Sequence, residues 1–254
     1  KRFSTNRSDQ REVGELWIIH SIGNKRPELE TYKYAMPGDE FVGTEIMQIY
    51  DLEADSMVTV DGHRFKDETF STMSARTFRY PADDSPRRSL WLSDNSDDFY
   101  FYSISRDLKR VDVMRADAAT GEVTVLIEER LNTYVETHRM DILSNGDLLW
   151  WSEQNGWGHM YRYAPDGTLK NQVTSGAFSV RGITAIDEDA GRLYFTANAR
   201  EEGEDPYYNH AYRVNLDGSG LRLLNPGNYD HRSTFNESGK FFVDNYARVN
   251  TVPA

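Results

Sequence analysis

The stretch QNGWGHMYRYAPDG, Gln154 to Gly167, sets two glycines, an indole and an imidazole side by side from Gly156 to His159. Such a start suits three chemistries: backbone amides around a phosphate, metal ligation through His159, or a tight turn between strands. A phosphate loop leads from its glycines into a helix N-terminus, and no helical periodicity follows Gly158. A zinc-type site gathers several ligands at short spacing, whereas His20, His63, His138, His210 and His231 are scattered, and none stands at ligand spacing from His159. The stretch therefore reads as a hairpin in which Gly156 and Gly158 turn the chain. MYRY then alternates across a sheet, and His159 takes a structural hydrogen-bonding role.

Other chemistry-bearing residues are sparser. No G-x-S-x-G elbow occurs, and the nearest match, DGSG at Asp217 to Gly220, puts Ser219 in a tight turn. The adjacent pairs Glu128-Glu129 and Glu201-Glu202 serve acid–base catalysis only if they stand across a substrate, which adjacency does not provide. DNSDD at Asp94 to Asp98 lacks the glycine and the distal glutamate of a helix-loop-helix calcium site. The chain is thus expected to carry no catalytic machinery of its own, no metal and no other cofactor.

What must position any site is a repeat. Phe101, Trp150 and Phe195 are aromatic strand centres at intervals of 49 and 45 residues, each followed by a second strand and a turn. Those turns are Thr120-Gly121, Asp166-Gly167 and Asp217-Gly218. One copy reads HRMDIL, LLWWSE, HMYRYA and LKNQVT (His138 to Thr174), and the next GITAID, RLYFTAN, HAYRVNL and LRLLN (Gly182 to Asn225). Four short strands per copy at this period predict an all-β fold, a partial β-propeller of about four to five blades of four-stranded antiparallel sheet. Residues 1–254 form one such domain. Upstream, TEIMQIYDLEADSMVTVDG predicts a strand pair turning at Glu53 to Asp55. SLWLSDNSDDFYFYSISRD predicts the inner pair of the following blade, and the polar segment from Lys66 to Arg88 an insertion.

Bulk properties narrow the partners. With 254 residues, 38% of them hydrophobic, the chain can bury a substantial core, and its aromatic clusters suit sheet. A formal charge of −12, from 41 acidic and 29 basic residues, argues against nucleic acid or an anionic membrane as ligand. Cysteine is absent, which removes disulfides and thiol chemistry, and the run Leu16 to Ile19 is far too short to span a bilayer. The first residues look like the middle of a strand, suggesting a segment of something longer.

Strand direction alternates in a meander, so the loop between second and third strands emerges on the same face as the link into the next blade. That face receives QNGWG, AREEGEDPYYN and the links ERLNTYVET and PGNYDHRST. It is the expected binding rim, with Tyr134, Glu136, Trp157, Glu201, Glu202, Glu204 and Asp205 as candidates.

Five segments in order resemble a known family: GELWIIHSIGNKRPELETYKYAMPGDE (Gly14 to Glu40), NTYVE (Asn132 to Glu136), GWGHMYRY with DGTLKNQVTSG (to Gly176), EDPYYNHAYRVNLDGSGLRLL (Glu204 to Leu224) and FFVDNYARVNTVP (Phe241 to Pro253). They resemble the propeller of bacterial dipeptidyl peptidase IV proteins, in the prolyl oligopeptidase group of serine peptidases. The resemblance implies a propeller joined to a C-terminal α/β-hydrolase domain of the same polypeptide. It implies peptide substrates trimmed two residues at a time from the N-terminus, and a propeller that gates access and offers acidic groups to the substrate's ammonium. The catalytic triad and the family's double-glutamate motif would then lie outside Lys1 to Ala254. By position, Asn132, Tyr134 and Glu136 would face the peptidase cavity, with Glu204 and Asp205 as further substrate-facing candidates. A periplasmic or secreted location and a homodimer also accord with the resemblance. Two other readings are a stand-alone propeller that binds a protein partner and a glycosidase propeller. The latter's repeated turn is matched only by SNGDLLW from Ser144 to Trp150.

Overall fold

The computed structural model describes residues 1–23, 25–74, 91–93, 96–236 and 241–251. All regular elements among them are strands. In order they are β1 (Arg2–Asp9), β2 (Glu15–His20), β3 (Glu28–Lys33), β4 (Thr44–Asp51), β5 (Ser56–Thr59), β6 (Thr69–Thr72), β7 (Asp98–Ile104), β8 (Arg110–Asp117), β9 (Val123–Arg130) and β10 (Asp141–Ile142). The rest are β11 (Leu148–Ser152), β12 (His159–Tyr163), β13 (Leu169–Gln172), β14 (Ser179–Asp187), β15 (Arg192–Asn198), β16 (Asn209–Asn215), β17 (Arg222–Leu223), β18 (Asp230–Phe235) and β19 (Phe242–Ala247). Among the described residues no helix is long and apolar enough to cross a membrane.

Two compact units divide the chain. One comprises Lys1–Met73, Ser93–Glu128 and Asn132–Tyr134; the other includes Glu129–Leu131 and Val135–Ala254. In the first unit β1, β4 and β5 make a three-stranded sheet, with the β2–β3 hairpin inserted between β1 and β4. The turn after β4 is fixed by Asp51, whose Oδ1 accepts from the amides of Ala54 and Glu53 at 3.1 and 2.9 Å while Oδ2 accepts from Arg2 Nε at 2.9 Å. Those amide hydrogen bonds, with the guanidinium, hold the Asp51 carboxyl down at about 2. The hairpin is exposed on both faces, including Trp17, Ile19 and Leu29.

Three four-stranded meanders follow in sequence, β6-β7-β8-β9, β10-β11-β12-β13 and β14-β15-β16-β17, and then the pair β18-β19. Each meander is a propeller blade of the expected kind. The aromatic residues picked out by spacing are strand centres: Phe101, Trp150 and Phe195 sit on β7, β11 and β15, each fully buried. Of these second strands β11 is buried along its whole length, whereas β15 alternates buried and half-buried residues as its two faces do. The turns behave likewise, with Gly121, Gly167 and Gly218 at φ of 79°, 88° and 89°.

The core of the second unit lies between its two blades. Leu149, Trp151 and Met160 meet Val180, Leu193, Phe195, Ala197, Tyr212 and Val214 in one buried cluster. Removing one of its large rings would cost about 3–5 kcal/mol.

Two expectations need amendment. Lys66 to Arg88 is not wholly an insertion, because Thr69–Thr72 forms β6, the first strand of its blade, paired with β7 from Thr69↔Ile104 to Thr72↔Phe101. Residues 75–88 of that segment lie outside the described residues, as do Asp94 and Asn95 of DNSDD. The link proposed to begin at Glu129 begins two residues later, since β9 runs through Arg130.

Candidate functional site

One end of the second unit's strands carries residues 135–140 entering β10, 153–158 between β11 and β12, 199–208 between β15 and β16, and 224–229 entering β18. The opposite end carries tight turns such as 164–168 and 188–191.

Between β11 and β12, Gly156 turns the chain at φ 85°, its amide bonded to Glu153 O at 2.7 Å. Gly158 answers a different need. A Cβ there would sit 2.2 Å from Trp151 Cζ2, so the backbone lies directly on the indole. The His138 ring stacks on the same indole at 3.8 Å, and Trp151 Nε1 donates to Val180 O at 2.8 Å. His159 is structural, as its context suggested. It is buried, its Nε2 donates to Gly176 O at 3.0 Å, and its Nδ1 faces Thr174 Oγ1 at 3.1 Å. Burial holds its pKa below the usual histidine range.

The sequence candidates separate by environment. Asn132 and Tyr134 are exposed and belong to the first unit. Glu136 is exposed in the second, its Oε1 3.2 Å from His138 Nε2 but outside hydrogen-bonding geometry. Burial lowers the His138 pKa, opposed by the Glu136 carboxylate. In the 199–208 loop, Glu201 and Glu204 are engaged inward. Glu201 Oε1 accepts from Arg200 Nη1 at 2.6 Å and from the buried Tyr212 hydroxyl at 2.9 Å. Glu204 Oε2 pairs with the buried His210 Nε2 at 2.9 Å. Asp205 is exposed, with Oδ1 taking the Tyr207 amide at 2.9 Å, and it presents Tyr207, 82% exposed, at the loop's tip. Glu202 is also exposed.

Sequence reasoning passed over His138 and Arg139, which the fold sets beside Trp151. Their signal was position, two and three residues after Glu136 on the link into β10. Among the described residues no group of three or more His, Asp or Glu side chains is arranged to hold a metal ion. What the rim presents is exposed carboxylates and hydrogen-bonding groups close to aromatic side chains.

The family model described as the dipeptidyl peptidase IV (DPP IV) N-terminal region matches residues 1–253. The chain is 27% identical over 255 residues to "Probable dipeptidyl-aminopeptidase B" of Aspergillus fumigatus, covering 90% of this chain and 26% of that protein. The protein of the same name from Neosartorya fischeri is 26% identical with the same coverage. The chain therefore spans about a quarter of the length of these relatives. Among solved structures, Porphyromonas gingivalis dipeptidyl peptidase 4 superposes with a TM-score of 0.72 at 18% identity, over 97% of this chain and 32% of that one. At that identity the likeness is one of fold, and it agrees with the succession of four-stranded blades. With the family model matched from the first residue to the last but one, the chain belongs to the dipeptidyl peptidase IV N-terminal region family.

Proposed function

We propose that this chain is the propeller region of a dipeptidyl-peptidase-type serine exopeptidase, binding the N-terminal part of peptide substrates on its loop rim and restricting access to the active centre. The hydrolase domain that cleaves them belongs to the same polypeptide and carries the catalytic triad. One observation carries the reading beyond family membership: on the link into β10, Glu136 offers an exposed carboxylate immediately beside a half-buried imidazole and the buried Trp151 indole. A carboxylate at the edge of a low-dielectric surface suits a peptide's free ammonium, and a charge-assisted hydrogen bond of this kind contributes about 1.5–3 kcal/mol. Asp205 and Tyr207 supply a second exposed acid–aromatic pair on the neighbouring loop. Glu204 serves in this reading through His210, holding that loop in shape, rather than by touching substrate.

The test is Glu136→Ala in the full-length protein, assayed on a chromogenic X-Pro substrate. KM should rise about 10- to 100-fold, with the thermal midpoint within a degree or two of wild type. Unchanged kinetics would return Glu136 to the solvated surface and remove the support it gives.

A further inference from the structure

We propose that the cavity at the rim ends of β10 and β14 is a specificity pocket for one apolar, aromatic or branched side chain of a bound peptide. The inference rests on the peptide-binding reading above and names what that site selects. The cavity, about 230 Å³ in volume and open to solvent on one side, is lined by His138, Arg139, Trp151, Met160, Gly182 and Ile183. An apolar cavity of about 150 Å³ already admits a benzene ring, so a phenylalanine or leucine side chain fits. Trp151 and Met160, 4% and 2% exposed, make the wall with Ile183, and nothing in this wall satisfies a charged group. Polar groups stand at the lip: the His138 ring on Trp151, its Nε2 3.2 Å from Glu136 Oε1, and the partly exposed Arg139 guanidinium 3.8 Å from Asp141 Oδ1. A buried hydrophobic wall under a polar lip is the usual build of a side-chain pocket.

Gly182 is the second, independent observation. It lies inside β14, where glycine weakens a strand by leaving nothing to pack. Its φ is outside the left-handed region, and a Cβ built on it meets no atom within 4 Å, so the space beside it is open. The register of β14 against β15 shifts on both sides of it, between Val180 and Gly182 and between Ile183 and Ala185. Glycine within a strand often marks a bulge, and these shifts put Gly182 at such an irregularity. What the missing side chain provides is the open volume of the cavity.

A side chain at 182 should therefore fill the pocket while leaving the fold intact. In the full-length protein, the probes are alanine-based pentapeptides with one phenylalanine moved through each position in turn, competing against a chromogenic substrate. Wild type should bind the peptide with phenylalanine at one particular position about tenfold more tightly than the all-alanine peptide. Gly182→Leu should reduce that preference to within about twofold and leave the all-alanine peptide unaffected. Gly182→Ala, too small to fill the space, serves as folding control and should keep most of the preference. Absence of a preferred position in wild type, or a preference untouched in a folded Gly182→Leu, overturns the pocket while peptide binding stands. Loss of binding to every peptide alike in Gly182→Leu, at an unchanged thermal midpoint, also overturns it. Failure of wild type to bind any of the peptides would overturn both the pocket and the reading beneath it.

Discussion

Glu128 and Glu129 are neighbours whose environments differ because successive side chains of a strand face opposite ways. Glu128 is exposed, 3.4 Å from Arg64 Nη2. Glu129 is 6% exposed, and its two oxygens take Ser152 Oγ and Trp150 Nε1, each at 2.6 Å. Burial pushes the Glu129 carboxyl above the usual range, only partly opposed by those two donors. The folded state therefore holds this proton more tightly than the unfolded chain. The contribution to stability is fully present below the ordinary glutamate pKa and is lost as pH rises through the elevated folded value. Glu129→Gln keeps an acceptor for the indole and cannot ionise. Its thermal midpoint should fall less than that of wild type between pH 4 and pH 7. Equal falls in the two proteins would mean that Glu129 ionises in the fold as it does in water. None of this was legible in the sequence, where the two stood only as an adjacent carboxylate pair; the strand's place among its neighbours is what separates them.

At the scale of elements, the repeat extends from strand spacing to individual hydrogen bonds. His159 and Thr174 recur as His210 and Asn225, each 51 residues further on. In both copies the side-chain oxygen of the later residue accepts the amide that follows the histidine, Met160 N to Thr174 Oγ1 at 3.0 Å and Ala211 N to Asn225 Oδ1 at 2.8 Å. This clamp ties the third strand of a blade to the segment after its fourth, where β13 and β17 are too short to do so alone. Asn225 does more than Thr174, since its Nδ2 also donates to Ser233 Oγ and Asp244 Oδ1 at 3.1 and 3.0 Å, reaching β18 and β19. Thr174→Val should cost about 1–3 kcal/mol by leaving a buried amide unpaired. Asn225→Leu strands that amide and two further partners, and its thermal midpoint should drop more than that of Thr174→Val. Equal losses would show that the links to β18 and β19 contribute nothing. The long strands were readable from the sequence, RLYFTAN coinciding residue for residue with β15. The edge strands β10 and β17 fall inside HRMDIL and LRLLN as expected, but their two-residue extent was not readable, because an edge strand pairs on one side only and its length depends on that neighbour.

For the whole molecule, the proposed function makes net charge a determinant of the encounter with peptides. The succession of four-stranded sheets was legible because strand spacing and turn glycines are local signals. The rim's use of its acids was not, because pairing such as that of Glu204 with His210 depends on how a loop folds back. After such internal pairing the chain still carries a formal charge of −12, a field that draws cationic ligands and repels anionic ones. A peptide N-terminus is a cation at neutral pH, and added lysines increase the attraction. Screening shortens the reach of this field to about 10 Å at 0.1 M salt and about 3 Å at 1 M. If peptides are bound on this region, kcat/KM in the full-length protein should fall several-fold between about 20 mM and 500 mM salt for a lysine-containing substrate, and rise for an aspartate-containing one. kcat should move little, because steering acts on association and not on the bound complex. Identical salt dependence for the two substrates would mean that they reach the active centre without passing within range of this acidic surface, and the binding role assigned to the rim would have to move elsewhere in the polypeptide.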